Sequence, residues 1–233
     1  MSKNIREQFS LLAWGEIIRE NPATIWFSIP ILLFSAVWSW LSDNREQLAG
    51  SFGHLGIAFE LINKYHWRHP LFLDLAYWSF RKARRTGVGD GQPTVSLKLG
   101  SIAEQRGDLA AAKAFIEEGI GMCRKLKDVP QRAFLTAHLG RVKTKLGDFA
   151  GAKADLESSL KTLTKSIKRE STFRLQVWAS TAEMGLAEWY LAAGDKKQAK
   201  TWADKVAARA AKHDLKTRNL DAAKLLSEIT FSA

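Results

Sequence analysis

The spacing of apolar and polar positions is helical along most of this chain, and one early stretch is apolar without interruption. Residues 21–42 contain no charged side chain and include the run IWFSIPILLFSAVWSWL. An apolar helix of about 20 residues has the length that crosses the hydrocarbon of a bilayer. Trp26 near one end and Trp40 near the other suit the headgroup boundary. The pattern therefore predicts a single transmembrane helix over 21–42, with a buried core helix as the alternative.

The segments on either side of this run have different patterns. Residues 1–20 place apolar side chains at helical spacing among charges, which predicts an amphipathic segment on a membrane surface or docked on a partner subunit. Residues 43–93 are rich in aromatic side chains and predict a degenerate helical hairpin, broken near His69-Pro70, with a flexible joint at 87–93. More Lys and Arg precede the apolar run than directly follow it. The positive-inside rule then predicts that residues 43–233 face the intermembrane space or the periplasm.

A short word recurs three times in the second half of the chain. Each copy consists of Gly-Asp, three intervening residues and then Ala-Lys. Glycine accepts the positive φ of a tight turn, and aspartate caps the helix that follows. The alanine of each copy is expected where two helices nearly touch. The three copies are GDLAAAKAF at 107–115, GDFAGAKAD at 147–155 and GDKKQAKTW at 194–202.

At these residues the chain resembles the tetratricopeptide repeat (TPR) family, over about residues 94–208. Internal repeats of this kind predict stacked helical hairpins, and residues 209–229 then form the capping helix of the solenoid. The predicted fold class is all-α: an N-terminal transmembrane helix followed by a TPR-like helical-hairpin solenoid over 94–233.

The resemblance also implies where a partner would bind. Ligands of this family usually lie along the faces of the first helices, in a groove. Leu97 and Ser101 stand where the chaperone-tail binders of the family carry Lys and Asn, so the resemblance does not extend to that activity. Carried onto this chain, the implied partner-binding residues are Glu104, Gln105, Arg141, Thr144, Lys145 and Glu188.

Charge adds a second candidate surface. The formal net charge is +11, which favours acidic proteins, anionic lipid headgroups or nucleic acid as partners. The densest cluster of basic side chains could hold lipid headgroups or an acidic partner, or it could be the basic last turn of a helix. Basic and aromatic residues do not alternate along the repeats, which argues against nucleic acid. The cluster consists of Arg81, Lys82, Arg84 and Arg85.

Motifs for chemistry are missing from the sequence. His54, His66 and His69 invite a metal interpretation, but ligand spacing is poor and Pro70 interrupts the helix. The lone Cys123 has no nearby histidine, and no phosphate loop, serine elbow or zinc-protease motif occurs. We therefore predict no enzyme, no catalytic residue, no metal, no cofactor and no small-molecule substrate.

These inferences give two hypotheses. The first is a membrane-anchored scaffold or adaptor that binds other proteins through a TPR groove. The second is a structural accessory subunit of a large membrane complex, such as a respiratory, translocase or protease assembly. Both predict a single-pass membrane protein, in the mitochondrial inner membrane rather than a bacterial inner membrane.

Overall fold

The computed structural model describes residues 23–65, 69–86 and 91–231, and every regular element in these ranges is an α-helix. Residues 1–20, with the predicted amphipathic segment, lie outside the described part, as does His66. The chain divides into two compact units, residues 1–102 and 103–233. In chain order the helices are α1 (Ala23–Leu41), α2 (Arg45–Tyr65), α3 (Pro70–Arg85), α4 (Gln92–Gln105), α5 (Leu109–Lys125), α6 (Val129–Lys145), α7 (Phe149–Arg169), α8 (Phe173–Ala192), α9 (Lys196–Lys212) and α10 (Lys216–Phe231).

In the first unit α2 packs on both α1 and α3. Gly56 of α2 lies against the ring of Phe80, where an added Cβ would come within 2.8 Å of three ring atoms. The start of α4 is tied to the same unit because the Lys98 ammonium lies 2.7 Å from the Glu60 carboxylate. Of the flexible joint predicted over 87–93, residues 87–90 lie outside the described part, and Gln92 and Pro93 already belong to α4. Pro93 in its first turn explains why, because proline there loses no helical hydrogen bond.

The transmembrane helix predicted over 21–42 is not found. A helix does form from Ala23 to Leu41, but no helix in the described ranges is long and apolar enough to cross a membrane. One face of α1 is used within the unit itself. Ala36 and Ser39 are buried, and the Ser35 hydroxyl shares a 2.9 Å hydrogen bond with the hydroxyl of Ser51 on α2.

In the second unit the three Gly-Asp words form three nearly identical turns. Gly107, Gly147 and Gly194 have φ values of 81°, 82° and 84°. In the middle copy the Asp148 amide donates to the Lys143 carbonyl at 3.0 Å, which closes the preceding helix. The carboxylate of each following aspartate accepts from an amide in the next first turn. The predicted roles of glycine as the turn residue and of aspartate as the cap are confirmed.

A fourth turn of the same kind was not predicted. Lys127 takes the glycine position with φ 55°, and Asp128 accepts from the Gln131 amide at 2.9 Å. This turn joins α5 to α6. The single capping helix predicted over 209–229 is also wrong, since Asp214 at φ 51° separates the end of α9 from α10.

The helices of this unit approach most closely at small residues. Gly140 of α6 faces α7, where an added Cβ would stand 3.1 Å from the Ala152 carbonyl oxygen and 2.7 Å from Cγ of Leu156. A Cβ at Gly185 of α8 would collide with the same leucine from the other side. Leu156 is fully buried with Leu186 and neighbouring alanines. The position predicted for Ala152, at a close helix contact, is therefore confirmed.

This packing predicts the effect of enlarging Ala152. Ala152→Leu should lower the free energy of unfolding by about 1–3 kcal/mol, because the added atoms have no space between α6 and α7. Ala150→Leu is the matched control, since Ala150 is exposed on the same helix and should change stability by less than about 0.5 kcal/mol. Urea unfolding followed by circular dichroism measures both. Equal stability of the two variants would contradict the proposed contact.

Candidate functional site

A row of charged side chains runs along the first helices of the second unit's hairpins. Glu104, at the end of α4, pairs with Lys145 of α6 at 2.7 Å. One turn earlier on α6, Arg141 reaches Glu188 of α8. Helices α4, α6 and α8 all end in the same glycine turn, so residues at equal distances from that turn lie at the same level along the three helices. We call this set the first-helix row, and it consists of Glu104, Arg141, Lys145, Thr181, Glu188, Arg218 and Asp221.

The pair between Arg141 and Glu188 is the most constrained in the row. The Arg141 Nε donates to one carboxylate oxygen of Glu188 and Nη2 to the other, both at 2.7 Å. Such a two-point geometry fixes the orientation of both side chains. The Glu188 carboxylate raises the pKa of Arg141, so this guanidinium stays charged at any accessible pH. The Arg141 guanidinium therefore presents a fixed positive charge in a fixed orientation.

The last helix, α10, extends the row where a further first helix would stand. Arg218 donates to the Thr181 hydroxyl of α8 at 2.8 Å and to Asp221 at 3.2 Å. Burial lowers the pKa of Arg218, and the nearby Asp221 carboxylate opposes that effect. The row thus contains three cationic and three acidic side chains and has no net charge of its own.

Aromatic side chains adjoin the row at the start of α6 and α8. The rings of Phe134 and Trp178 are stacked with centroids 4.9 Å apart, and His138 meets Phe134 edge-on. The Arg174 guanidinium lies 4.9 Å from the centre of the Trp178 ring. Trp178 itself is buried in the core, so this cluster mainly fixes how α8 packs on α6.

The structure brings together four of the six side chains predicted to line the groove: Glu104, Arg141, Lys145 and Glu188. Gln105 is exposed beside Glu104. Thr144 is buried instead, and its hydroxyl donates to the Gly140 carbonyl at 3.0 Å. The reason is geometric, since neighbouring residues on a helix point about 100° apart. Arg218 and Asp221 were missed because α10 was interpreted as a solvated cap.

The predicted basic cluster forms the last turn of α3. Arg81 lies 5.8 Å from the Tyr77 ring centre and Lys82 5.5 Å from that of Trp78. Lys82, Arg84 and Arg85 lie at the carbonyl end of the helix, where cations are favourable. These contacts agree with the alternative of a basic helix end, and they leave Arg81 and Arg85 exposed.

Cys123, His54 and His69 are each held by burial or by a hydrogen bond to the backbone. Cys123 is buried, and its burial, with the nearby Asp128, raises the pKa of the thiol to about 11. His54 lies 2.7 Å from the Gly50 carbonyl, and His69 accepts from the Leu71 amide as the cap of α3. Within the described ranges no three His, Cys, Asp or Glu side chains are grouped to hold a metal ion.

Comparison with known proteins agrees with this architecture. Residues 94–126, which span α4 and α5, match the tetratricopeptide repeat family. No curated protein matches the sequence of the chain.

Three solved structures have a similar fold. A Rap protein complexed with competence and sporulation factor has a TM-score of 0.59 at 13% identity, covering 88% of this chain and 59% of that one. BtubC (BKLC) from P. vanneervenii has a TM-score of 0.58 at 14% identity, covering 92% and 93%. Nearly identical TPR-like repeats from Podosopora anserina have a TM-score of 0.53 at 13% identity, covering 92% and 99%. At these identities the likeness shows the fold alone, an all-α TPR-like helical repeat.

The first-helix row predicts a specific loss of stability. Glu188→Ala should lower the free energy of unfolding by about 1–3 kcal/mol, because Arg141 is then left partly buried without its carboxylate. Glu157→Ala is the control, since Glu157 is exposed and its ammonium partner lies 3.9 Å away in the same helix. That control should change stability by less than about 0.5 kcal/mol. Thermal unfolding of both variants tests the difference, and equal losses would argue against a constrained pair.

Proposed function

We propose that the chain is a protein-interaction scaffold that binds a segment of a partner protein along the first-helix row. The observation that carries this proposal is the alignment of charged side chains from four successive first-type helices, from Glu104 to Asp221. A TPR-like fold supplies the supporting comparison, and the related Rap structure holds competence and sporulation factor.

The charges of the row indicate which kind of segment would fit. Its cations and acids already neutralise one another, so a strongly charged ligand gains little net attraction. A segment of mixed charge can exchange some of these pairs for its own. Lys145 is the most exposed member of its pair, with half of its side chain accessible, whereas Glu104 is mostly covered. The pair at the end of α4 and α6 is therefore the place where a partner makes first contact.

A charge swap at this pair tests the proposal. Exchanging the two residues, Glu104→Lys with Lys145→Glu, keeps an ion pair but reverses the pattern that a partner meets. A photo-crosslinking residue at Gln105 should link the unswapped full chain to discrete partner proteins in cell extract. The swapped chain should lose at least about tenfold of that crosslinking, as expected for one or two lost charged contacts.

The control is a swap of the same residue types elsewhere. Lys113 and Glu117 pair at 3.9 Å on α5, a second helix, and exchanging them should leave the crosslinks unchanged. Circular dichroism checks that both swapped chains unfold at the original temperature. Crosslinks that persist in the Glu104/Lys145 swap would show that partners bind elsewhere.

We also propose that α1 attaches the scaffold to a lipid bilayer. Over residues 31–41 the buried positions of α1 are small, Ala36 and Ser39, whereas most of its large apolar side chains are exposed. Small residues at helix contacts and large apolar ones outside are typical of helices in lipid. Phe34 and Trp40 are each 70% exposed. The outward residues are Ile31, Leu33, Phe34, Val37, Trp38, Trp40 and Leu41.

This second proposal concerns attachment and leaves the side of the membrane open. A contiguous patch of exposed large apolar side chains marks a surface that a partner or a membrane covers in function. The basic end of α3, which belongs to the same unit, would suit anionic headgroups. Placement in a mitochondrial inner membrane stays a prediction, as does the choice between an adaptor and a fixed accessory subunit. Co-purification at a constant ratio through salt washes would favour the subunit.

Vesicle flotation tests the attachment. The full chain should float with vesicles of phosphatidylcholine and phosphatidylglycerol. The triple variant Phe34→Gln, Val37→Gln, Leu41→Gln should bind at least about tenfold more weakly, because three apolar side chains no longer leave water. The control replaces Leu146, Leu220 and Phe231, which are exposed in the second unit, with glutamine. Equal losses in both variants, or no flotation of the original chain, would contradict the proposal.

A further inference from the structure

A groove lies on the second-helix side of the repeats, between α7 and α9, and has a volume of about 760 Å³. Its floor includes Leu186 of α8 together with Leu160 of α7 and Trp202 of α9. Leu160 and Trp202 are only partly buried, so the floor presents apolar surface to solvent. The remaining lining residues are Val129, Glu157, Lys161, Thr162, Thr164, Lys165 and Lys168.

One wall of the groove is basic. Lys161, Lys165 and Lys168 follow one another at intervals of four and three residues, which places them on one face of α7. All three are exposed. Within the described ranges none of them forms an ion pair or a side-chain hydrogen bond, whereas Arg141, Lys145 and Arg218 of the first-helix row are all paired. Like charges at this spacing repel one another by a few tenths of a kcal/mol. Placing these three lysines side by side therefore does not stabilise the fold.

A further cation lies close to Trp202 of the floor, although Lys205, which carries it, is not one of the lining residues. The Lys205 ammonium lies 3.7 Å from the centre of the Trp202 ring. Glu157 is the one acidic residue of the lining, and it already has Lys153 of the same helix at 3.9 Å. The groove therefore combines an apolar floor with an excess of positive charge along its α7 edge.

We propose that this groove binds an acidic amphipathic helix of a partner protein. A helix in a groove buries its apolar stripe on the floor and leaves its flanks to the edges. From Glu157 to Lys168 the wall is about 17 Å long, which matches three turns of a ligand helix. Glutamates or aspartates on the flanks of that helix would supply the partners that the three lysines lack. This site is distinct from the first-helix row and does not depend on it.

Two synthetic peptides test the proposal against the full-length chain. The acidic peptide has 15 residues, with leucines at intervals of three and four and glutamates on both flanks; the basic peptide has lysines in place of the glutamates. Fluorescence anisotropy of the labelled acidic peptide should show binding. The triple variant Lys161→Glu, Lys165→Glu, Lys168→Glu should weaken this binding at least about tenfold, and it should gain binding of the basic peptide.

If the triple variant gains binding of the basic peptide, its loss of the acidic peptide cannot be due to unfolding. A matched control changes three other exposed lysines of the same unit, Lys125, Lys197 and Lys212, to glutamate and should retain binding of the acidic peptide within about threefold. The proposal is overturned if the control loses binding equally or if no variant gains the basic peptide. Stronger binding of single-stranded DNA through the same lysines would overturn it as well.

Discussion

The turn that closes one helix and starts the next is the constraint on which the rest of the repeat unit depends. At four of the helix junctions a residue with positive φ ends one helix, and the aspartate after it caps the next. The junction of α7 and α8 differs, since Thr172 caps α8 there. Glycine provides this at residues 107, 147 and 194, and Lys127 does so at a steric cost. Because both halves of the turn are hydrogen-bonded, the direction of the next helix is set within one residue. An insertion at this point would rotate every following side chain by about 100°.

With the turns fixed, packing and binding follow from the same register. Leu156 fits against Gly140 on one side and Gly185 on the other only because α6, α7 and α8 cross at those glycines. The register that places these glycines inside also places Arg141 and Glu188 on the open side of α6 and α8. Their two hydrogen bonds of 2.7 Å then hold the two helices together at the surface as Leu156 does in the core. Core and candidate site are thus two results of one helix alignment.

The sequence predicted the turns and helix contacts only where a residue type has a strong conformational preference of its own. Gly-Asp has such a preference, so three turns and the close contact at Ala152 could be predicted. Lys127 has none, because few lysines adopt positive φ, and its turn was missed. An apolar run gives an average hydropathy but does not show which face of α1 packs inward, where Ser35 bonds to Ser51 of α2. The predicted span was therefore not found among the described residues. Thr144, predicted to line the groove, is buried for a third reason. A position carried over from a family pattern can be one residue off, and one residue changes the side of the helix by about 100°.

The two surfaces of the repeat unit differ in how their charges are balanced, and this difference separates their physical behaviour. The first-helix row is neutral in sum, and its ion pairs are partly buried, so salt screens them weakly. The lysines along α7 are exposed and without ion-pair partners in the described part of the chain, so any association there strengthens as ionic strength falls. For the ligands proposed above, the row offers selectivity through fixed geometry, and the groove offers attraction through unbalanced charge. The two proposed sites are therefore expected to respond differently to ionic strength.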